Sequence, residues 1–398
     1  MFEYLSYILF FGIVIIFLIY IYIRIKYGFW VLQPVFHVYD FGYMFNPPGI
    51  IQDSLPEKNK YTNFKDIDTI IFSQLTSIQK TRFINLIKTN YLQNKDNVFS
   101  PQSENINPYF IGHNDKSFIS FFYKDEYMID LKKGTMITDR QVIGALTSRP
   151  LNVLINNKKK PKFRVYYVDY LCVDKLHRKK GIAPQLIQTH HYNQRYLNKN
   201  IVVSLFKREH ELTGIVPLCV YSTYGFSVDK WTKPPDLSGE YKLLEINETN
   251  FRFVYDFIRI NGNKFDIIIN ADIANILELI KTKNIFVYAI LCDDNIICCY
   301  FYRKSCVQIE KGLEVLTCFA SICQCDENIF VQGFKISFWK ISAENFFGFC
   351  AIENVSNNNI FLNNIIKKTK PLIVSPTAYF FYNFAYPTFD SEKVLIIN

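Results

Sequence analysis

The stretch VDYLCVDKLHRKKGIAP at residues 168–184 decides the fold. It begins as an apolar strand and continues as a basic loop. Pro184 suits the first turn of a helix, because its missing N–H needs no partner there. Gly181 lets the backbone approach a ligand closely, and successive N–H groups before a helix N-terminus favour an anion. The stretch therefore predicts a strand, a phosphate-binding loop and a helix.

Composition excludes several protein classes. The chain has 398 residues, of which 49% are hydrophobic and 17% aromatic, so it is neither disordered nor collagen-like. Its length predicts two or three globular units. Lys and Arg number 45 and Asp and Glu 36, which leaves a net charge of +9. The mean hydropathy of +0.03 is high for a soluble protein, and one segment supplies part of it.

That segment is residues 4–23, which contain no charged residue. As a helix it would span about 30 Å, the thickness of a bilayer core. A cleaved signal peptide would need a basic start, a shorter apolar run and a small-residue site, and these are missing. Arg24 and Lys26 follow the run, so we predict a single-pass membrane protein with the bulk of the chain facing the cytoplasm.

The ten cysteines show no disulfide framework and are expected to be reduced thiols of the core. Cys318, Cys323 and Cys325 lack a second pair or nearby histidines, so no metal site is predicted. The lysine-rich residues 156–162 are interpreted as a solvated hairpin loop, with contact to anionic lipid as the alternative. No nucleic-acid-binding module accompanies this charge, and no nucleic-acid partner is expected.

The rest of the chain alternates helical and strand-like patterns. We predict helices at 67–92, 184–197, 250–259, 272–281 and 333–346, and strands at 118–123, 141–154, 163–173, 285–292, 296–302 and 313–323. The second half, from about residue 241, repeats an order similar to that of the first. The pattern indicates an α+β protein with two halves in tandem.

Five separated segments carry a family resemblance. The pattern Arg-x-x-Gly-x-Ala at residues 178–183 resembles the acyl-CoA pyrophosphate loop of the GNAT acyltransferase superfamily, and the whole run around it resembles eukaryotic glycylpeptide N-myristoyltransferases. The other segments are YGFW with QPV at 27–35, NY with DNVF at 90–99, VIG with Pro150 from 142, and YNFAYPTFDSEKVLIIN at 382–398. They occur in the family's order and reach the last residue.

The resemblance implies two tandem GNAT-like halves around a continuous, curved, mostly antiparallel sheet. Residues 27–235 would bind acyl-CoA and residues 236–398 would help to bind the peptide. The implied reaction moves a myristoyl group from myristoyl-CoA, the co-substrate, to the N-terminal glycine amine of a peptide or protein. No metal takes part, and a monomer is expected.

The resemblance also implies residue roles. The backbone N–H groups of Tyr170 and Leu171 would form the oxyanion hole for direct attack by the amine. The main-chain carboxylate of Asn398 would be the base, although burial or a tight pair must first help such a weak base. Cys172, in an apolar strand, is not expected to be a nucleophile. CoA would contact Tyr27, Gly28, Phe29, Trp30, Cys172, Val173, Arg178, Lys179, Lys180, Gly181, Ile182 and Ala183, and the peptide would contact Asp96, Phe99 and Tyr221.

Departures from the family concentrate on the peptide side. The loop at 93–96 keeps one carboxylate and gains a lysine, Leu218 and Thr223 replace a threonine and a histidine, and Cys350 replaces an amide. Altered peptide choice is expected. Two alternatives stay open: an inactive acyl-CoA-binding or structural membrane homologue, and an N-acyltransferase with a different acyl chain or amine acceptor.

Overall fold

The computed structural model describes residues 2–92, 97–130, 135–156, 161–209, 214–309 and 312–398. The helices are α1 Phe2–Lys26, α2 Phe41–Phe45, α3 Ser77–Asn90, α4 Ser103–Ile106, α5 Ile182–Leu197, α6 Phe251–Asn261, α7 Ile273–Lys281, α8 Glu327–Asn345 and α9 Asn358–Ile366. The strands are β1 Gly49–Ile50, β2 Ile67–Ile71, β3 Val98–Phe99, β4 Phe118–Asp130, β5 Thr135–Ile155, β6 Lys162–Val173, β7 Val203–Glu209, β8 Cys219–Ser227, β9 Tyr241–Ile246, β10 Ile267–Asn270, β11 Ile285–Cys292, β12 Asn295–Ile309, β13 Leu313–Cys323, β14 Phe347–Glu353, β15 Ile373–Tyr382, β16 Phe384–Ala385 and β17 Val394–Ile397.

Fifteen strands form one sheet in the main order β17-β10-β5-β6-β7-β15-β8-β14-β13-β12-β11-β9, with β2, β3 and β4 paired beside it. Most pairs are antiparallel. The parallel pairs β6/β7 and β13/β14 are each joined through a helix, α5 and α8 respectively. Each half of the sequence therefore holds one β–α–β unit, and the α+β prediction with a mostly antiparallel sheet is confirmed.

The two halves of the sequence exchange strands. β10 and β17, from the second half, extend the sheet beyond β5 of the first half. β8, from the first half, lies between β14 and β15 of the second. A large apolar core packs against this shared sheet and includes Leu151, Phe265 and Ile396. The sheet is consequently continuous across the middle of the sequence.

Most predicted elements are present, with one substantive error. Residues 67–71 were assigned to a helix because their apolar spacing fits a helical period, but they form β2 and pair with β4. Helix α3 begins only at Ser77. The side chains of Thr76 and Gln79 cap its N-terminus, each accepting from the backbone N–H of the other residue. The helix α5 begins at Ile182, two residues before the predicted start. Tertiary pairing of an edge strand decided the structure of residues 67–71.

Helix α1 is 25 residues long, and its apolar side chains point outward. Within the described chain, one helical segment, Tyr7–Lys26, is long and apolar enough to cross a membrane. Arg24 and Lys26 lie in its last turn.

Candidate acyl-CoA and peptide site

Three cavities follow one another along β6. The loop cavity, of about 560 Å³, lies over the basic loop and the start of α5. The strand gap, of about 490 Å³, lies between β6 and β7, and the cleft, of about 440 Å³, lies on the other side of β6 against β12 and β14. Tyr91 and Leu92 line all three, and Asp169 and Tyr170 line both the strand gap and the cleft. The three cavities meet near the carboxyl end of β6, at residues 169–171.

The strand gap exists because two parallel strands separate. β6 and β7 pair over residues 165–168 and 203–206 and diverge beyond them. Trp30 covers the opening and stacks on Phe206, with ring centroids 5.7 Å apart. Leu146 and Ile187 complete an apolar wall. The gap is shaped to admit an extended apolar chain between two strands.

A β-bulge marks the junction of the cavities. Ala145 pairs with Cys172 and Thr147 with Asp169, so Tyr170 and Leu171 together lie opposite one residue, Leu146. Tyr170 has a φ of 50°, an uncommon conformation for a residue with a side chain. A bulge of this kind takes backbone groups out of the ladder and can direct them into a site. The two predicted oxyanion donors lie at this bulge.

One of these donors is engaged. The N–H of Tyr170 donates to the carboxylate of Asp169 at 2.8 Å, and the hydroxyl of Tyr91 approaches the same oxygen at 3.4 Å. The Tyr170 ring packs edge-on against Phe83. Burial raises the pKa of the Tyr170 phenol well above its usual value, so it is neutral. Asp169, which no motif in the sequence singles out, places its carboxylate beside the predicted oxyanion hole.

The loop cavity has the conformation that a phosphate cradle needs. Lys179 and Gly181 have φ values of 61° and 75°, so successive backbone N–H groups turn towards the start of α5. Among the residues predicted to contact CoA, seven line this cavity: Cys172, Val173, Arg178, Lys179, Gly181, Ile182 and Ala183. The loop is therefore suited to a pyrophosphate group.

Arg178 and Lys180, two basic residues of the loop, have different surroundings. The Arg178 guanidinium donates to the carbonyls of Asn90, at 2.6 Å, and Val173, at 3.3 Å. It braces the loop against α3 instead of projecting freely into the cavity. Lys180 is exposed and lies outside the described lining of the cavity.

The cleft contains a buried ionic cluster. The Glu353 carboxylate accepts from Lys207 at 3.0 Å, from Arg303, and from the Tyr221 hydroxyl at 2.7 Å. Burial alone would raise the pKa of the Glu353 carboxyl, but Lys207 and Arg303 lower it to about 2. The four side chains come from β7, β8, β12 and β14 and tie the two halves of the sequence together at the cleft.

Comparison with known proteins supports the fold. Residues 57–219 match the family model described as myristoyl-CoA:protein N-myristoyltransferase, N-terminal domain. The chain is similar to a Saccharomyces cerevisiae N-myristoyltransferase with bound myristoyl-CoA, at a TM-score of 0.68 and 13% identity over 92% of this chain and 94% of that one. The chain has the N-myristoyltransferase fold. A second yeast structure, with bound myristoyl-CoA and inhibitors, gives a TM-score of 0.67 at 13% identity, covering 92% of this chain and 91% of that one. No curated protein sequence matches the chain.

Within the N-myristoyltransferase fold, only part of the predicted N-terminal CoA contacts line a cavity. Trp30 lines the strand gap. Phe29 packs against Trp30 and Tyr61, each with ring centroids 5.1 Å apart. Tyr27 and Gly28 lie outside the described linings of the three cavities.

Likewise, only part of the predicted peptide contacts line the cleft. Phe99 is buried and lines the cleft. Tyr221 lies beneath the described lining and positions Glu353, and Asp96 lies outside the described residues.

The last residue lies at the edge of the cleft. Asn398 is 1% exposed and follows β17, which runs parallel to β10. Its side-chain oxygen accepts from Arg303 at 3.4 Å, and Arg303 lines the cleft. The apolar segment at 394–398 is buried. The catalytic role of its carboxylate remains a prediction.

Polar side chains line the inner part of the strand gap, which the sequence analysis did not anticipate. His190 lies between the hydroxyls of Ser120 and Ser148 at 2.8 Å each, and His191 packs against the ring of Tyr382. Among the described residues, neither ring nitrogen of His191 has a hydrogen-bond partner, and Gln194 Oε1 also lacks one. Burial lowers the pKa of each histidine to about 3, so both are neutral.

The Cys172 thiol is protonated at neutral pH, because burial raises its pKa to about 12. All ten cysteines are free thiols. No cluster of metal-binding side chains occurs among the residues that the structure describes.

Proposed function

We propose that the chain transfers a myristoyl group from myristoyl-CoA to the N-terminal glycine amine of peptides and proteins. The family model over residues 57–219 and the N-myristoyltransferase fold support acyl transfer of this type. One observation carries the proposal: the loop cavity, the strand gap and the cleft meet at the bulge at Tyr170 and Leu171. This arrangement gives the nucleotide, the acyl chain and the amine separate places around one point of reaction.

The proposed chemistry uses backbone groups and the chain terminus. The thioester carbonyl would lie against the N–H groups of Tyr170 and Leu171, whose backbone is held by strand β6. Asp169 would first release the Tyr170 N–H. The Asn398 main-chain carboxylate would first accept a proton from the glycine ammonium, aided by burial. The neutral amine then attacks the thioester carbon, the C–S bond breaks, and the second proton lost by the nitrogen goes to the departing thiolate, so that CoA leaves as a thiol.

We further propose that α1 anchors the enzyme as a monomer in a membrane, with the catalytic domain on the cytoplasmic side. The length and apolar surface of α1 support the anchor, and the basic residues of its last turn support the orientation. The enzyme would then act on proteins synthesised near that membrane.

The full chain, purified in detergent, tests this proposal with radiolabelled myristoyl-CoA and a library of peptides that begin with glycine. We expect label to transfer to glycine peptides and not to the same peptides with alanine first. Adding three residues after Asn398 should abolish transfer while leaving myristoyl-CoA affinity unchanged. Mass spectrometry of the intact chain must first show that Asn398 carries the free carboxylate. Normal turnover of the extended variant would rule out the carboxylate as base.

Two observations favour the alternatives. The carboxylate of Asp169 engages the Tyr170 N–H, which would suit a chain that binds acyl-CoA without transfer. The unpartnered polar atoms of His191 and Gln194 in the strand gap would suit a different acyl chain. Tight acyl-CoA binding without transfer to any peptide would support the first alternative. Faster transfer from a shorter or hydroxylated acyl-CoA would support the second.

A further inference from the structure

The cleft contains an arginine without a counter-ion. Arg149 is 4% exposed, and its guanidinium carbon lies 4.7 Å from the centre of the Tyr109 ring and 5.1 Å from that of Tyr167. Its Nη1 has no hydrogen-bond partner, and no carboxylate of the described chain lies within the 4.0 Å of an ion pair. Two tyrosine rings thus hold a buried cation that is not neutralised.

Such a cation is unusual, because charged side chains are rarely buried without a partner. The other basic residues of the cleft follow the rule. Lys207 and Arg303 share Glu353, and Lys304 lies 3.7 Å from Glu314. Contact with aromatic faces stabilises a cation but leaves its N–H donors unsatisfied. Arg149 therefore has donors available for a ligand.

The charge of the cleft points to an anionic ligand. Its described lining carries four basic residues and three acidic ones, a balance of +1. The acidic residues are already occupied or remote: Asp169 accepts from the Tyr170 N–H, Glu353 from two cations, and Glu209 is 46% exposed beside Lys207. An anionic group that entered the cleft would find Arg149 as its partner.

We propose that Arg149 is a subsite for a carboxylate of the acceptor peptide, that is, an aspartate or glutamate close to its N-terminal glycine. This inference rests on the proposed function, because it assumes that the cleft holds the acceptor. The guanidinium presents a planar fork that matches a carboxylate, and the flanking rings fix its orientation. A lysine or arginine of the peptide at this point is repelled.

The sheet register gives the position of the acidic residue. Arg149 pairs with Tyr167, three residues before Tyr170. Three residues of strand span about 10 Å, and an extended peptide covers the same distance in three residues. With the glycine at the bulge as residue 1, the carboxylate belongs to residue 3 or 4.

The test uses octapeptides that begin with glycine and differ at one position from 2 to 6, where each carries Asp, Asn or Lys. Transfer by the full chain gives kcat/KM, and binding to the enzyme loaded with a non-transferable thioether analogue of myristoyl-CoA gives Kd. We expect Asp at residue 3 or 4 to be preferred over Asn by about tenfold or more, and Lys to be the poorest. Because binding needs no turnover, failure of the proposed transfer leaves this test intact.

Three variants complete the design. R149Q should abolish the preference for Asp, and R149K should retain part of it, since it keeps the charge and loses the fork. K304Q, whose lysine already has Glu314 as a partner, should change the preference less than twofold. Unchanged myristoyl-CoA affinity shows that each variant is folded. The inference is overturned if the parent chain prefers Asp at no position in either assay, or if R149Q prefers Asp as strongly as the parent.

Discussion

The two buried histidines of the strand gap should make the protein lose stability between pH 7 and pH 5. His190 and His191 are neutral in the fold, with pKa values lowered to about 3 by burial, whereas an unfolded histidine titrates near 6.5. As pH falls below 6.5, both histidines bind a proton in the unfolded state but stay neutral in the folded state. Where the unfolded state binds more protons than the folded state, the free energy of unfolding falls as pH falls. The protein therefore loses stability on acidification.

The size of the loss follows from the gap between the two pKa values. Between pH 7 and pH 5 each histidine contributes about 2 kcal/mol, so the pair contributes about 4 kcal/mol. This figure holds for any folded pKa below about 4. Carboxylates contribute less in this window, because their ordinary pKa values lie below pH 5. The unfolding free energy is measured by urea titration of the full chain in detergent, with tryptophan fluorescence as the signal.

The matched variant is H191L. His191 has no hydrogen-bond partner in the part of the chain that the structure describes, so leucine removes a buried imidazole without leaving another group there unsatisfied. The loss between pH 7 and pH 5 should fall to about 2 kcal/mol, and stability at pH 7 should stay level or rise. A parent stability that is flat over this window, or an H191L variant with the parent's full loss, would refute the reasoning.

Three other predictions concern the site. E353Q should lower the unfolding free energy by about 3–5 kcal/mol in the same urea titration, because it leaves two buried cations facing a neutral amide. The control E209Q, on the exposed carboxylate near Lys207, should lower it by less than about 1 kcal/mol. Equal losses in the two variants would contradict the buried cluster. G181A, at a φ of 75°, should lower the unfolding free energy by about 1 kcal/mol. It should also weaken myristoyl-CoA binding about tenfold, as measured by calorimetry. Affinity equal to that of the parent chain would argue against the phosphate cradle. D169N should speed single-turnover acyl transfer about tenfold, because it removes a negative charge beside the developing oxyanion. If the variant is slower than the parent, Asp169 instead assists the reaction.

The sequence predicted those parts of the site that lie on one continuous segment. The strand, loop and helix at residues 168–184 are contiguous, so the loop cavity could be foreseen from Gly181 and the basic residues around it. The apolar run of α1 is contiguous as well. Residues 67–71 misled the prediction because their spacing suits a helix, while pairing with β4 makes them a strand.

The cleft could not be predicted in the same way. Arg149, Lys207, Arg303 and Glu353 come from four separate strands, and their proximity depends on the exchange of strands between the two halves of the sequence. An isolated arginine in β5 looks like any surface charge until Tyr109 and Tyr167 are seen to enclose it. The engagement of the Tyr170 N–H by Asp169 likewise depends on the geometry of the bulge.

The central claim is tested most directly by a single-turnover experiment. The full chain is loaded with myristoyl-CoA and mixed with an excess of glycine peptides that carry Asp at residue 3 or 4, and the products are located by fragmentation mass spectrometry. The account predicts one myristoyl group on the α-amine of the glycine and release of one equivalent of CoA. Tight binding of myristoyl-CoA with no acylated peptide, or acylation at a lysine or cysteine side chain, would contradict it.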